Sequence, residues 1–145
     1  MSFRKIEVRF TDGHAGFSRA HESDAGYDLR CLEKVRLEPH ARVFVPTGVR
    51  VALPRGYAGL VCSRSGLARS RGVCVLNDPG VIDPGYQGDV GVVLFNASDA
   101  PVSFDAGDRI AQLLIVPVAT PLPIVVDAFD APTERGADGF GSTGV

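Results

Sequence analysis

Two near-identical interruptions, Pro46-Thr47-Gly48 and Pro54-Arg55-Gly56, cut the middle of this chain into apolar runs of only a few residues. Proline fixes φ and removes an amide donor, and glycine opens backbone conformations closed to other residues, so neither triplet lets a long element through. The pattern holds along the whole sequence: 17 glycines and 10 prolines in 145 residues leave short segments between frequent turns. Alternation or apolar runs predict strands at residues 5–10, 27–31, 34–37, 42–45, 49–53, 57–62, 73–76, 90–95, 101–104 and 110–116, and one more apolar run at 124–126 precedes the tail. The two Pro-x-Gly turns predict antiparallel connections, and residues 80–88 read as a Gly/Pro-rich hairpin region. Only residues 65–70 suggest a helix, and it is a short one. The expectation is one all-β domain, a jelly-roll-like sandwich over residues 1–130, with residues 131–145 as a flexible C-terminal arm.

Several function classes fall away at this point. There is no strand–helix alternation and no GxxxxGKS loop, so neither standard nucleotide cradle applies. Fifteen basic against 17 acidic residues give a net charge of −2, which offers no reason to expect binding to nucleic acid or to an anionic bilayer. No apolar stretch approaches membrane-spanning length, and the N-terminus is charged and alternating, so a cytoplasmic location is expected. Cys31, Cys62 and Cys74 are odd in number and form no zinc spacing; buried free thiols are the expected reading. Lys5 and Lys34 are the only lysines, so a basic side chain on a phosphate would have to be arginine or histidine.

Individually, the candidate residues carry ordinary structural readings beside chemical ones. Asp83 in Ile-Asp-Pro-Gly suits an Asx-turn, and a carboxylate held there could also orient and deprotonate a water. Arg64 and Ser65 could cap the short helix, or could present charge and free amides to an anion. Tyr86 reads equally as a core aromatic or a ring in a site, and Asp28 as a turn or edge residue. The segment Arg135-Gly136-Ala137-Asp138-Gly139-Phe140-Gly141-Ser142-Thr143-Gly144 could be a frayed end, yet its glycines, hydroxyls and single ring could also wrap a phosphate and cover a base.

Five segments, in order, change the balance: Ala25-Gly26-Tyr27-Asp28-Leu29, Arg64-Ser65-Gly66-Leu67-Ala68, Gly80-Val81-Ile82-Asp83-Pro84-Gly85-Tyr86-Gln87-Gly88, Gly107-Asp108-Arg109-Ile110-Ala111-Gln112-Leu113, and the tail just quoted. Together they resemble the trimeric dUTPase family over nearly the whole chain. The resemblance implies hydrolysis of dUTP to dUMP and pyrophosphate, with Asp83 activating a water against the α-phosphorus. It implies Mg²⁺ as cofactor, coordinated by the triphosphate and reached by Asp28 through water. Phosphate contacts would come from Arg64, Ser65, Gly66, Gln112, Arg135, Gly141, Ser142 and Thr143. A hairpin from Asn77 to Gly91 would read uracil through Asn77, Gly80, Val81, Ile82 and Gly91, with Tyr86 beneath the deoxyribose and Phe140 stacked on the base.

The same resemblance implies a homotrimer whose active sites are shared between subunits. Arg109 is expected to brace the fold or trimer through buried ion pairs. One departure stands out, because the family usually has proline where this chain has Ser63, and the phosphate loop is expected to be less rigid for it. His14, His21 and His40 are expected at the surface. Two rivals are a dCTP deaminase-like enzyme and a non-catalytic trimeric nucleotide-binding module. Deaminase chemistry wants a glutamate near the base, and none occurs between Glu38 and Glu134. A binding module would show erosion at Asp83, Gln112 or the tail, and all are intact.

Overall fold

The structure, a computed structural model, describes residues 9–11, 16–129 and 131–137. Six strands precede the single helix: β1 (Arg9–Thr11), β2 (Gly26–Arg30), β3 (Val35–Leu37), β4 (Arg42–Pro46), β5 (Arg50–Ala52) and β6 (Tyr57–Cys62). Helix α1 (Ser65–Arg71) is followed by β7 (Val73–Val75), β8 (Gly80–Ile82), β9 (Gly91–Asn96), β10 (Val102–Phe104) and β11 (Arg109–Pro117). Period-two burial is cleanest in β9, which buries Val92, Leu94 and Asn96 and turns the residues between them outward. Asn96 is the polar exception in that row, and its amide is fully used: Nδ2 donates to the carbonyls of Leu37, Glu38 and Ala100, and Oδ1 accepts from Ser98.

Every ladder is antiparallel, as expected, yet none joins strands adjacent in sequence. The sheets run β2-β11-β6-β8 and β4-β9-β7, with two smaller pairs, β1-β5 and β10-β3. The Pro-x-Gly triplets therefore pass the chain from one sheet to another instead of closing hairpins. Their geometry explains this. Tyr57 donates to the Pro54 carbonyl at 3.3 Å, and positive φ falls only at Gly56 (85°) and, in the other triplet, at Gly48 (69°). A turn with positive φ only at its third residue has the wrong twist for a tight hairpin and splays the flanking strands.

The same correction applies to residues 77–91. β8 pairs with β6, whereas β9 pairs with β4 and β7, so this segment is a crossover between two sheets and not a hairpin. One core lies between the sheets, drawing Leu29, Leu113, Val61 and Ile82 from the first and Val45, Val92, Leu94 and Val75 from the second. Burying such side chains contributes about 1.5–3 kcal/mol each, which anchors the strand ends where polar residues emerge.

The apolar run at residues 124–126 pairs with no sheet edge among the described residues. Ile124 and Val125 are 83% and 97% exposed, and Leu122 and Phe129 are equally bare. His21 and His40 lie at the surface on Asp24 and Asp99, as expected, while His14 falls outside the described residues. The three cysteines are free, but only Cys31 is buried, so the expectation of three buried thiols is corrected for Cys62 and Cys74. Among the described residues, no helix is long and apolar enough to cross a membrane.

Candidate active site

The site residues gather in two depressions with no lining residue in common. The first lies at the ends of three strands. Register places Asp28 of β2 and Cys62 of β6 on either side of Gln112 in β11. The chain leaves β6 through Ser63 and Arg64, turns into α1, and so brings Arg64 and Ser65 beside Asp28, Arg109 and Gln112. Arg64 is the N-cap residue and makes no side-chain cap, so capping is not what its guanidinium does. Ala68 is the first helical amide to bond back, to the Arg64 carbonyl, and the amides of residues 65–67 have no intrahelical partner.

Charge defines this depression. Asp28, only 13% exposed at its side chain, lies 3.5 Å from Arg109 Nη1 and 3.9 Å from both Arg64 Nε and Arg30 Nη2. At such separations, with an effective dielectric near 20, each attraction is about 4 kcal/mol before desolvation is counted. The lining itself holds two guanidiniums, Arg64 and Arg109, and two carboxylates, Asp24 and Asp28, with Arg30 the third arginine on Asp28. Burial first, and then the neighbouring Arg109 charge, pulls the Arg64 guanidinium below its ordinary value, a stress that an incoming anion would relieve. Arg109 pairs with the largely buried Asp28, and its own side chain, 41% exposed on this protomer, also lines the depression.

That donor set also tests the fit of magnesium. Asp28 is already engaged by arginines, Asp24 accepts from the His21 amide, and no cluster of three His, Cys, Asp or Glu exists among the described residues. A resident cage does not fit. An ion that arrives on phosphates and is met by Asp28 through water does fit, since magnesium keeps its waters readily.

The second depression is a cavity of about 300 Å³ lined by Phe44, Val61, Asn77, Gly80, Val81, Ile82, Asp83, Tyr86, Asp89, Val90 and Gly91. All seven residues singled out between 77 and 91 therefore meet on one wall. Asp83 follows β8 directly and opens a turn closed by its own carbonyl, which accepts from the Tyr86 amide at 3.2 Å, with Gly85 at φ 94°. The turn is held by backbone and not by an Asx contact. No hydrogen bond or ion pair among the described residues ties up the Asp83 carboxylate, which stays exposed at the cavity.

Glycines make room for the rings. A Cβ on Gly88 would run into the Tyr86 phenol, whose hydroxyl donates to the Asp89 carbonyl at 3.0 Å; a Cβ on Gly91 would run into the Phe44 ring. In the first depression Gly26 clears space for the Gln112 amide in the same way. The cavity floor is tied to the core through buried Thr47, which donates to the Val90 carbonyl.

Of the remaining expected residues, Gly66 sits in the first turn of α1 and lines neither depression, and Arg135 is exposed in a turn at residues 133–136, also away from both. Phe140, Gly141, Ser142 and Thr143 lie outside the described residues. Sequence reasoning missed Phe44 and Asp89 as cavity residues. Phe44 carried a usable signal, an aromatic outward of a buried neighbour in β4, but nothing in the sequence aligned it with Gly91 two strand positions away.

Comparison with known proteins converges on one family. The profile of the dUTPase family matches residues 14–144. A deoxyuridine 5'-triphosphate nucleotidohydrolase of Cutibacterium acnes is 52% identical, covering 87% of this chain and 83% of its own. Its counterpart from Mycobacterium avium is 49% identical over 99% of this chain and 97% of its own. Among solved structures, a Staphylococcus bacteriophage 80alpha dUTPase with dUpNHpp superimposes with a TM-score of 0.90 at 32% identity, covering 97% of this chain and all of that one. A phage phi11 dUTPase variant described with a structural Mg(II) ion gives 0.79 at 29% identity, over 87% of this chain and all of its own.

Proposed function

This chain belongs to the dUTPase family, and from that premise we propose how its residues divide the hydrolysis of dUTP to dUMP and pyrophosphate. The observation that carries the reading is the unengaged Asp83 carboxylate on the wall of a cavity that also gathers Asn77, Gly80, Val81, Ile82, Tyr86 and Gly91. Uracil presents two carbonyl acceptors and one N–H, a pattern that the amides and carbonyls of Gly80, Val81, Ile82 and Gly91 and the Asn77 side chain can complement. Cytosine would leave those buried groups unpaired, which is the costly kind of mismatch. Tyr86, pinned by its bond to Asp89 and by the clearance at Gly88, lies under the sugar and leaves no space for a 2'-hydroxyl.

Asp83 holds a water and takes its proton as the water oxygen bonds to the α-phosphorus. The bond from that phosphorus to the bridging oxygen breaks, and pyrophosphate departs with the electron pair. Arg64, Ser65, Gly66 and Gln112 hold the phosphate chain, and Asp28 keeps Arg64 and Arg109 aimed into the depression. Mg²⁺ bound to the triphosphate supplies charge neutralisation when present, with Asp28 its contact on the protein through water.

Two half-sites on one protomer that share no lining residue suit a homotrimer in which the nucleoside cavity of one subunit faces the anion depression of another. The bare apolar stretch at residues 122–129 suits burial against a second copy. Residues 131–145 then act as an arm, with Arg135, Gly141, Ser142 and Thr143 on the terminal phosphates and Phe140 over the base. The proposed setting is the cytoplasm. A dCTP deaminase is less well supported, because no glutamate lines the cavity.

Pyrophosphate release from dUTP, dCTP, dTTP and UTP, with magnesium and with chelator, tests the reading. Magnesium-stimulated release confined to dUTP is expected. A folded trimer inert toward dUTP would instead favour the binding-module alternative.

A further inference from the structure

Ser63 stands where the family resemblance leads one to expect proline, and its bonding explains how the chain manages without the ring. Its amide donates to Asp78 Oδ2 at 2.7 Å, its Oγ accepts from the Val75 amide at 2.8 Å, and its carbonyl accepts from Gln112 Nε2 at 2.9 Å. A proline there could make only the third of these bonds. The expectation of a looser phosphate loop is therefore replaced by one of a loop tied on three sides.

The partners matter as much as the number. Gln112 and the next residue, Arg64, line the anion depression. Asp78 lies between Asn77 and Gly80, which both line the nucleoside cavity. The amide–carboxylate bond is thus a direct connection between two half-sites that have no lining residue in common. It is charge-assisted and short, the kind of hydrogen bond that fixes geometry best. The Cys62 thiol is a further neighbour: burial first, then the Asp78 carboxylate, pushes it up.

We propose that Ser63 and Asp78 are a positioning pair that ties each subunit's nucleoside segment to its own phosphate loop, and so fixes the relative placement of the two half-sites that this subunit contributes to neighbouring active sites. Neither side chain needs to touch substrate. Asp78 anchors the strand entry that leads to Asp83, and Ser63 anchors the residue that carries Arg64 and the carbonyl that aims Gln112. In relatives with proline, a fixed φ supplies the restraint; in this chain a hydrogen bond across the two segments supplies it. The catalytic consequence rests on the dUTPase reading above, and the bond itself does not.

The test is a double-mutant cycle. With Ser63 in place, Asp78→Ala lowers kcat/KM for dUTP on the order of 10-fold, because misplacement by a fraction of an ångström is felt at the reacting atoms. Asp78→Asn, which keeps an acceptor oxygen, recovers most of that loss. In the Ser63→Pro background, where there is no amide to accept from, Asp78→Ala changes kcat/KM by less than about 2-fold. Equal losses in both backgrounds, or no loss with Ser63 present, would overturn the proposal. Hydrogen exchange at the Ser63 amide gives a readout independent of turnover: protection in the wild type, kept in Asp78→Asn and lost in Asp78→Ala. An unprotected Ser63 amide in the folded wild type sinks the pair even if dUTP is hydrolysed. A protected amide in a protein that does not hydrolyse dUTP sinks the functional reading and removes the catalytic role of the pair with it.

Discussion

The two half-sites are built on opposite physical terms. The anion depression takes its character from charged side chains, with Arg64 and Arg109 at 3.5–3.9 Å from Asp28, and with Asp24 as a second carboxylate on its wall; such attraction is long-ranged and tolerant of small shifts. The nucleoside cavity is made of backbone and clearance, with glycines placed so that Tyr86 and Phe44 fit. Charge forgives an ångström and yields to salt; steric fit does the reverse. A substrate with a flexible, highly charged chain at one end and a rigid heterocycle at the other calls for that division.

Asp83 belongs to the rigid half and acts on the flexible one, so its replacement should give the largest effect. Asp83→Asn is expected to lower kcat by about 10²–10⁴-fold, the range in which a general base contributes. Its melting temperature should not move, because the carboxylate has no partner among the described residues. Pyrophosphate release beside a thermal melt checks both, and a large stability change would show that the carboxylate is structural.

The same substitution made in each half separates them next. Gly88→Ala forces a Cβ into a pinned phenol, and should lower kcat/KM for dUTP by about 10–100-fold while raising the relative turnover of UTP. Gly26→Ala meets chiefly the far end of Gln112, which can swing aside at the loss of its bond to Ser63, so a fall nearer 10-fold is expected with base and sugar preference unchanged. Steady-state kinetics on dUTP, dCTP and UTP distinguishes the two patterns. Reversed magnitudes would mean that the anion half is the rigid one.

How much of this was legible in the sequence follows the same division. Local rules sufficed for strand identity: the alternation in residues 91–96, the short helix after Arg64 and the turn at Asp83-Pro84-Gly85 were each visible from residue type. Pairing was not. Pro-x-Gly turns said where strands end, but not that the chain would change sheets there, since that depends on the sign of φ at single residues and on partners 19 to 60 positions away. The apolar run at residues 124–126 could not be placed from sequence, because apolar content does not reveal whether a chain's own sheets or another copy will cover it. The motif residues of both half-sites were found through resemblance. Asp78 and Phe44 lay in no motif and were invisible until register brought them beside Ser63 and Gly91. Arg109 was expected in an ion pair and is in one with Asp28, but its place on the wall of the anion depression emerged only from the register of β11.

Salt gives the mildest separation and needs no mutation. Raising ionic strength from about 0.05 to about 0.5 M shortens the screening length from more than ten ångströms to a few. Attraction of a triphosphate to Arg64 and Arg109, both partly exposed at 27% and 41%, should weaken, and KM for dUTP should rise several-fold. Deoxyuridine has no phosphate and, being uncharged, engages only the nucleoside cavity without an ion pair, so its inhibition constant should stay within about 2-fold over the same range. Subtracting the two trends isolates the contribution of the arginine field. Parallel salt dependence would place a charged contact in the nucleoside cavity, and Asp89, held by Arg50 at 2.6 Å on its rim, would be the residue to replace first.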